Sequence, residues 1–157
     1  MRVSTSDIFD ADPDRVLVCE TQFRSFGRLR EFAGPCATVA VREDHREIRK
    51  LLETPGEGRV LVVDGGGSPR VGLMGDVMAA MAVRNGWAGA IVFGAIRDSS
   101  AIDAMEFGVK AVATTARRAQ TAASALHDQP VEFGGVRFHP GDWVCADSDA
   151  VVVRPQR

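Results

Sequence analysis

Between Gly86 and Asp98 the chain runs through Trp87, Ala88, Gly89, Ala90, Ile91, Val92, Phe93, Gly94, Ala95 and Ile96, then breaks into an adjacent cation and carboxylate, Arg97 and Asp98. An apolar run of this length, bounded by glycine and carrying β-branched residues, reads as a strand buried on both faces of a mainly parallel sheet. In open α/β sheets ligands bind beyond the carboxyl ends of the strands, where loops carry functional groups on a rigid scaffold. Arg97 and Asp98 fall on that edge.

A parallel strand needs parallel neighbours and crossovers, and the flanking sequence supplies both. Cys36 to Val41 and Arg59 to Asp64 read as strands, with Val, Thr and Leu providing β propensity. Between them, Ile48, Leu51 and Leu52 recur at helical spacing among charged residues, so an amphipathic helix is expected from Glu43 to Glu53, stopped by Pro55-Gly56. Strand, helix, strand in that order implies a right-handed parallel unit. A second helix should open at Leu73-Met74-Gly75-Asp76 and stop at Asn85-Gly86, its methionines packed on the sheet. A short helix from Ser99 to Phe107 and a strand from Val109 to Thr114 follow. Before this core, Ser4 to Ser6 offer caps for a short helical arm, Val16 begins an extended segment, and Phe32-Ala33-Gly34-Pro35 suggests a bend. After it, residues 116–130 read as a surface excursion of modest helical tendency, expected to be the most mobile part. Gly134-Gly135 signals a hairpin, and Trp143 and Val151 mark two last strands.

The 157 residues suit one domain spanning 1–157, long enough to bury a core. A net charge of -2 disfavours general nucleic-acid binding, because nothing drives counterion release. Cys19, Cys36 and Cys145 stand far apart without a C-x-x-C pair, so neither a zinc knuckle nor a redox motif is suggested and buried small hydrophobes are expected. The start, Met1 to Asp7, leads into acidic residues instead of an apolar signal core, and no run approaches a membrane span. A cytoplasmic protein is expected.

The candidate site gathers Asp76, Arg97 and Asp98 beside the loop from Gly65 to Gly75. Asp76 would sit at a helix N-terminus, where the macrodipole and free N–H groups favour anions. Arg97 offers a planar fork for a carboxylate or enolate oxygen. Asp98 is a hard oxygen ligand suited to Mg²⁺, which takes few protein carboxylates and keeps its waters. Taken singly, each has a plain alternative: Asp76 as a helix cap, and Arg97 with Asp98 as a surface pair of little energetic weight. His45, His127 and His139 are scattered and point to surface or structural roles; Asp142, Asp147 and Asp149 sit among turn formers.

The succession Val60 to Ser68, Gly75-Asp76, Asn85 to Gly89, Gly94-Ala95-Ile96-Arg97-Asp98, Phe107 to Ala111 and Pro140-Gly141-Asp142, with Cys19 to Arg24 near the start, resembles the family of regulator of ribonuclease activity A. That family also holds the 4-hydroxy-4-methyl-2-oxoglutarate aldolases. The resemblance implies a three-layer β/β/α sandwich of the swivelling-domain type with a central mainly parallel sheet, assembled as a homotrimer with active sites between subunits. It implies cleavage of 4-hydroxy-4-methyl-2-oxoglutarate to pyruvate and decarboxylation of oxaloacetate, both through a pyruvate enolate. By position, Arg97 would bind the 2-oxo acid, Asp98 would hold Mg²⁺ or Mn²⁺, Asp76 would orient a water for proton transfer, and the backbone amides of Leu73, Met74, Gly75 and Asp76 would receive the carboxylate. The alternative is a protein that inhibits a ribonuclease of the RNase E type without catalysis. Methyl transfer is rejected, since no glycine-rich cofactor motif with a following ribose-binding acid is present. The sequence departs from the aldolases at Ala101, where members carry a second acid in Arg-Asp-x-x-Asp/Glu, and at Thr114 to Ala119, where relatives carry a Pro-Arg-Lys-Ser segment.

Overall fold

The computed structural model describes residues 4–156; Met1 to Val3, part of the leader reading, lie outside it. Helix α1 (Thr5–Ala11) is capped by Ser4, whose hydroxyl accepts the Asp7 N–H. Strands β1 (Leu17–Val18) and β2 (Arg24–Phe26) lead into the long β3 (Phe32–Ala40). Then follow α2 (Arg46–Leu52), β4 (Val60–Asp64), α3 (Asp76–Arg84), β5 (Gly89–Ile96), α4 (Ser99–Asp103) and β6 (Val109–Thr114). The chain finishes with β7 (Leu126–His127), β8 (Val131–Phe133), β9 (Val136–Phe138), β10 (Trp143–Ala146) and β11 (Val151–Arg154).

Strands β3, β4, β5 and β6 pair in parallel, as the apolar runs require, and β2 closes one edge antiparallel to β6. The whole order is β1-β11-β10-β3-β4-β5-β6-β2, with β7 beside β3. Val60, Leu61, Val62 and Val63 are all fully buried because both sheet faces are covered. On one face Leu61, Val63 and Val92 meet Ile48 and Leu52 of α2, Met78 and Ala82 of α3 and Ile102 of α4. On the other, Val60, Val62 and Ile91 meet the β8–β9 hairpin and the β10–β11 pair. Phe133 stacks between Phe93 at 4.9 Å and Phe138 at 4.7 Å, which locks the hairpin layer onto the sheet. The three layers are the expected β/β/α sandwich. Gly134 and Gly135 both have positive φ, the backbone that a two-residue hairpin turn demands.

Three local expectations need correction. The segment Phe32-Ala33-Gly34-Pro35 is no bend. It is the first half of β3, paired to β10, while Cys36 to Ala40 pair to β4 on the other side. Pro35 stands at the handover between partners, where a missing N–H disrupts least. Helix α2 begins three residues later than its charge pattern suggests, because Glu43 has φ 51° and turns its carboxylate to Ser68 and Arg70. Residues 116–130 hold no helix. They are tied down where Asp44 accepts the Ala123 N–H at 2.9 Å, where the Thr38 hydroxyl donates to Gln129 O at 2.6 Å, and where β7 pairs with β3.

Candidate active site

β5 ends at Ile96 and the next two residues turn sharply. Asp98 has φ 56° and ψ 40°, the left-handed region that L residues seldom enter. That conformation swings its carboxylate over the start of α3, where Oδ2 accepts the Asp76 N–H at 3.2 Å. Gly75 precedes α3 without a side chain to cap it, so Asp98 supplies the cap from another element. A Cβ on Gly75 would stand 2.8 Å from Asp98 Oδ2, so the glycine makes room for the carboxylate.

Arg97 is fixed by the loop before α3. Gly72 bridges to Ala95 in parallel, the Leu73 N–H donates to Ala95 O at 2.8 Å, and the Arg97 N–H donates to Met74 O at 2.8 Å. Residues 72–74 therefore lie along the end of β5 like one more strand. A Cβ on Gly72 would overlap Arg97 Cβ, Cγ and Cδ, so the arginine stem lies flat on the glycine. Arg97 makes no ion pair among the described residues, and its Nε is buried without an acceptor. Packing, not a carboxylate among the described residues, aims this guanidinium, and its charge has no ion-pair partner among them.

Arg97, Asp98, Asp76 and Gly75 line one cleft of about 200 Å³, so the sequence-expected site residues come together. Leu73 does not contribute in the expected way. Its amide is committed to Ala95, and its side chain is buried against Gly65 and Gly94, two positions where a Cβ would strike it. Leu73 anchors the loop; it does not receive a carboxylate. The Asp76 amide is likewise held by Asp98, which leaves Met74 and Gly75 with N–H groups that have no acceptor among the described residues. The amides of the glycine-rich turn after β4 are also committed within the chain. Gly65 and Gly67 donate to Phe93 O, and Gly66 donates to Asp64 Oδ1.

His45, Arg49 and Arg118 also line the cleft, and sequence reasoning set the histidine aside. Its Nδ1 is buried without a partner. Burial holds the imidazole below its ordinary pKa; the Asp44 carboxylate opposes this, and Arg46, Arg118 and Arg49 reinforce it. Its position just before α2 was the only available signal. Asp103, the nearest acid after Ala101, is engaged elsewhere: its carboxylate accepts the Gly27 N–H at 2.8 Å.

Among the described residues no group of three or more His, Cys, Asp or Glu could enclose a metal ion. The cleft still suits a hard cation that keeps most of its waters. Among the described residues Asp98 engages Oδ2, on the Asp76 amide, and Asp76 engages Oδ1, on the Val77 N–H, so each keeps one carboxylate oxygen without a partner there.

The RraA-like family model, described as Aldolase/RraA, matches residues 5–153. A protein of Laribacter hongkongensis (strain HLHK9), provisionally named 4-hydroxy-4-methyl-2-oxoglutarate aldolase, is 46% identical over 96% of this chain and 95% of its own. A crystal structure described as S-adenosylmethionine: 2-dimethylmenaquinone methyltransferase from Geobacillus kaustophilus HTA426 is 46% identical, with TM-score 0.95, covering 99% of this chain and 96% of that one. The structure of the RNA-processing inhibitor RraA from Thermus thermophilis is 37% identical, with TM-score 0.94, covering 99% of this chain and 94% of that one.

Proposed function

The chain belongs to the RraA-like family, and on that premise we propose that it is a divalent-metal-dependent lyase that releases pyruvate from 2-oxo acids. The substrates are 4-hydroxy-4-methyl-2-oxoglutarate, cleaved as an aldol, and oxaloacetate, which is decarboxylated. The single observation that carries this reading is the end of β5: an unpaired guanidinium laid flat on Gly72, beside a left-handed Asp98 that reaches over the start of α3.

The substrate carboxylate takes the unclaimed amides of Met74 and Gly75 at the positive end of α3. Arg97 holds the C2 keto oxygen. When the bond between C3 and C4 breaks, its electron pair moves onto that oxygen and forms an enolate, and the Arg97 charge is already in place to offset it. Asp76 holds the water that carries protons: it removes the C4 hydroxyl proton in aldol cleavage, and it returns a proton to C3 in both reactions. Asp98, with Asp76 beside it, would hold Mg²⁺ or Mn²⁺, which supplies Lewis-acid polarisation of the same keto oxygen when bound. The protein acts as a cytoplasmic homotrimer, with the cleft covered by a neighbouring subunit. No helix among the described residues is long and apolar enough to cross a membrane.

The methyltransferase name of the Geobacillus chain is not carried over, because the amides of the glycine-rich turn after β4 are committed internally. A second reading, ribonuclease inhibition without catalysis, draws on the description of the Thermus chain and on Ala101. The deciding experiment is pyruvate release from both substrates with Mg²⁺ and again after chelation. If metal-loaded protein decarboxylates no oxaloacetate above the free-metal background, the lyase reading falls and inhibition leads.

A further inference from the structure

A larger cavity, about 470 Å³, lies apart from the Arg97 cleft, between the segment from Val18 to Phe23 and the turn joining β10 to β11. Its volume is in the range of small-ligand sites. Lys110 lines it. The lysine sits near the amino end of β6, on the face opposite its neighbours Val109 and Ala111, which belong to the helix-side core.

Lys110 is only 3% exposed, and its ammonium donates to the Ser25 hydroxyl and to the main-chain carbonyl of Asp147. Both acceptors are neutral. Among the described residues no acceptor remains for the third N–H and no carboxylate is ion-paired to it. The Asp147 carboxylate faces away, accepting from the Thr5 N–H and hydroxyl and from the amides of Asp149 and Ala150. Arg30 adds positive charge nearby, donating to Ser25 O at 2.6 Å. Burial, and Arg30 with it, hold Lys110 below its ordinary pKa, partly offset by Asp147. Buried ammonium groups are normally matched by a charged partner, so the cavity floor has an unmet demand for one anionic oxygen. Its rim has the opposite character. Glu20 and Asp149 line the same cavity, and their carboxylates make no hydrogen bond or ion pair among the described residues.

We propose that this cavity is a second binding site, for a zwitterion of the amino-acid class, with the ligand carboxylate on Lys110 and its ammonium toward Glu20 and Asp149. A dianion is disfavoured because one N–H remains at the floor and two acids stand at the rim. A simple cation is disfavoured by Lys110 and Arg30. Lys110 also ties β2 to the β10–β11 turn, but that role employs two of its three N–H groups and leaves the third for the ligand.

The test uses the full ¹⁵N-labelled protein, titrated separately with each common L-amino acid while the amide resonances of Gln22, Ser148 and Asp149 are followed. At least one amino acid should move all three saturably. Its N-acetyl derivative, which lacks the ammonium, and its methyl ester, which lacks the carboxylate, should each bind about tenfold more weakly or worse. Lys110→Met should weaken binding by a similar factor, and so should Glu20→Gln, a rim change that does not disturb packing. Arg97→Ala should leave the titration unchanged, which separates this site from the lyase cleft. The proposal is overturned if no amino acid produces a saturable shift, if the N-acetyl form binds as well as the parent, or if both variants bind as wild type.

Discussion

The Asp98 carboxylate accepts the backbone N–H of Asp76 at 3.2 Å, so the second residue after β5 caps the helix that carries the other site acid. Charge and cap are separable. Asparagine tolerates the left-handed backbone and keeps an acceptor oxygen, whereas alanine keeps neither advantage. Asp98→Asn should therefore unfold within a few tenths of a kcal/mol of wild type yet lose metal-dependent pyruvate release, while Asp98→Ala should also lose about 1–2 kcal/mol in urea unfolding. Full turnover in a folded Asp98→Asn protein would reduce Asp98 to a helix cap.

Gly72 offers a cleaner probe of arginine placement. Its φ lies outside the left-handed region, so alanine is strained only by the Arg97 stem it would strike. Gly72→Ala should lower kcat/KM for oxaloacetate by about tenfold or more through misplacement of the guanidinium, with a stability loss of about 1 kcal/mol. Steady-state rates and a thermal melt on one sample decide it; an unchanged rate would mean that the guanidinium is not held by this contact.

The gathering of Gly75, Asp76, Arg97 and Asp98 in one cleft was legible because its constraints are local: an apolar run ending in Arg97-Asp98, and Gly75-Asp76 opening a helix. What escaped was set by distant partners. Pro35 reads as a bend until β10, more than a hundred residues later, supplies the first half of β3 with a ladder. Residues 116–130 carry weak helical composition, but Thr38 and Asp44 draw them into contact with β3 and the start of α2. The commitment of the Leu73 amide to Ala95 has no sequence signature, since it depends on where the loop lies against β5. His45 enters the cleft only because α2 starts late, and Lys110 looks like any charged strand residue until both faces of the sheet are covered.

The lyase reading distinguishes its two substrates. Aldol cleavage must remove a proton from a tertiary alcohol through an ordered water, and decarboxylation need not. Ala101 leaves that water without a second acid, and Asp103 cannot stand in while it holds the Gly27 amide. Oxaloacetate decarboxylation should be measurable with weak or absent aldolase activity, and Ala101→Asp should restore part of the latter. Equal activity on both substrates in wild type would remove the role assigned to position 101.

Asp147 makes acid stability a measurement of the arm. Burial works to raise its pKa, but the amides of Thr5, Asp149 and Ala150 and the Thr5 hydroxyl outweigh it and hold it below the ordinary 3.8. A depressed folded pKa means that this contribution is complete above 3.8 and drains away as pH falls through the folded value. Urea midpoints should be flat in this respect from pH 7 to 5 and drop below about 4. Asp147→Ala should cost on the order of 3 kcal/mol at neutral pH and flatten the acid limb. An unaltered acid limb would show that α1 is not held through this carboxylate.

Val77 of α3, 59% exposed, lines the cleft, and Val83, toward the other end of the helix, is 41% exposed. A neighbouring subunit would cover them. Light scattering on purified protein should give three times the chain mass, and Val77→Asp should lower it; a monodisperse monomer at micromolar concentration would remove the shared-cleft proposal.

One strand governs the order in which this protein can be made. The carboxyl half of β3 finds β4 within about two dozen residues of synthesis, but its amino half waits for β10, near the end of the chain. Until the ribosome has released Trp143 to Ala146, Phe32 to Pro35 expose an unpaired edge ahead of a formed parallel sheet. A nascent chain stalled before Trp143 would be a half-built sandwich with that edge bare, the form in which holdase chaperones would meet it.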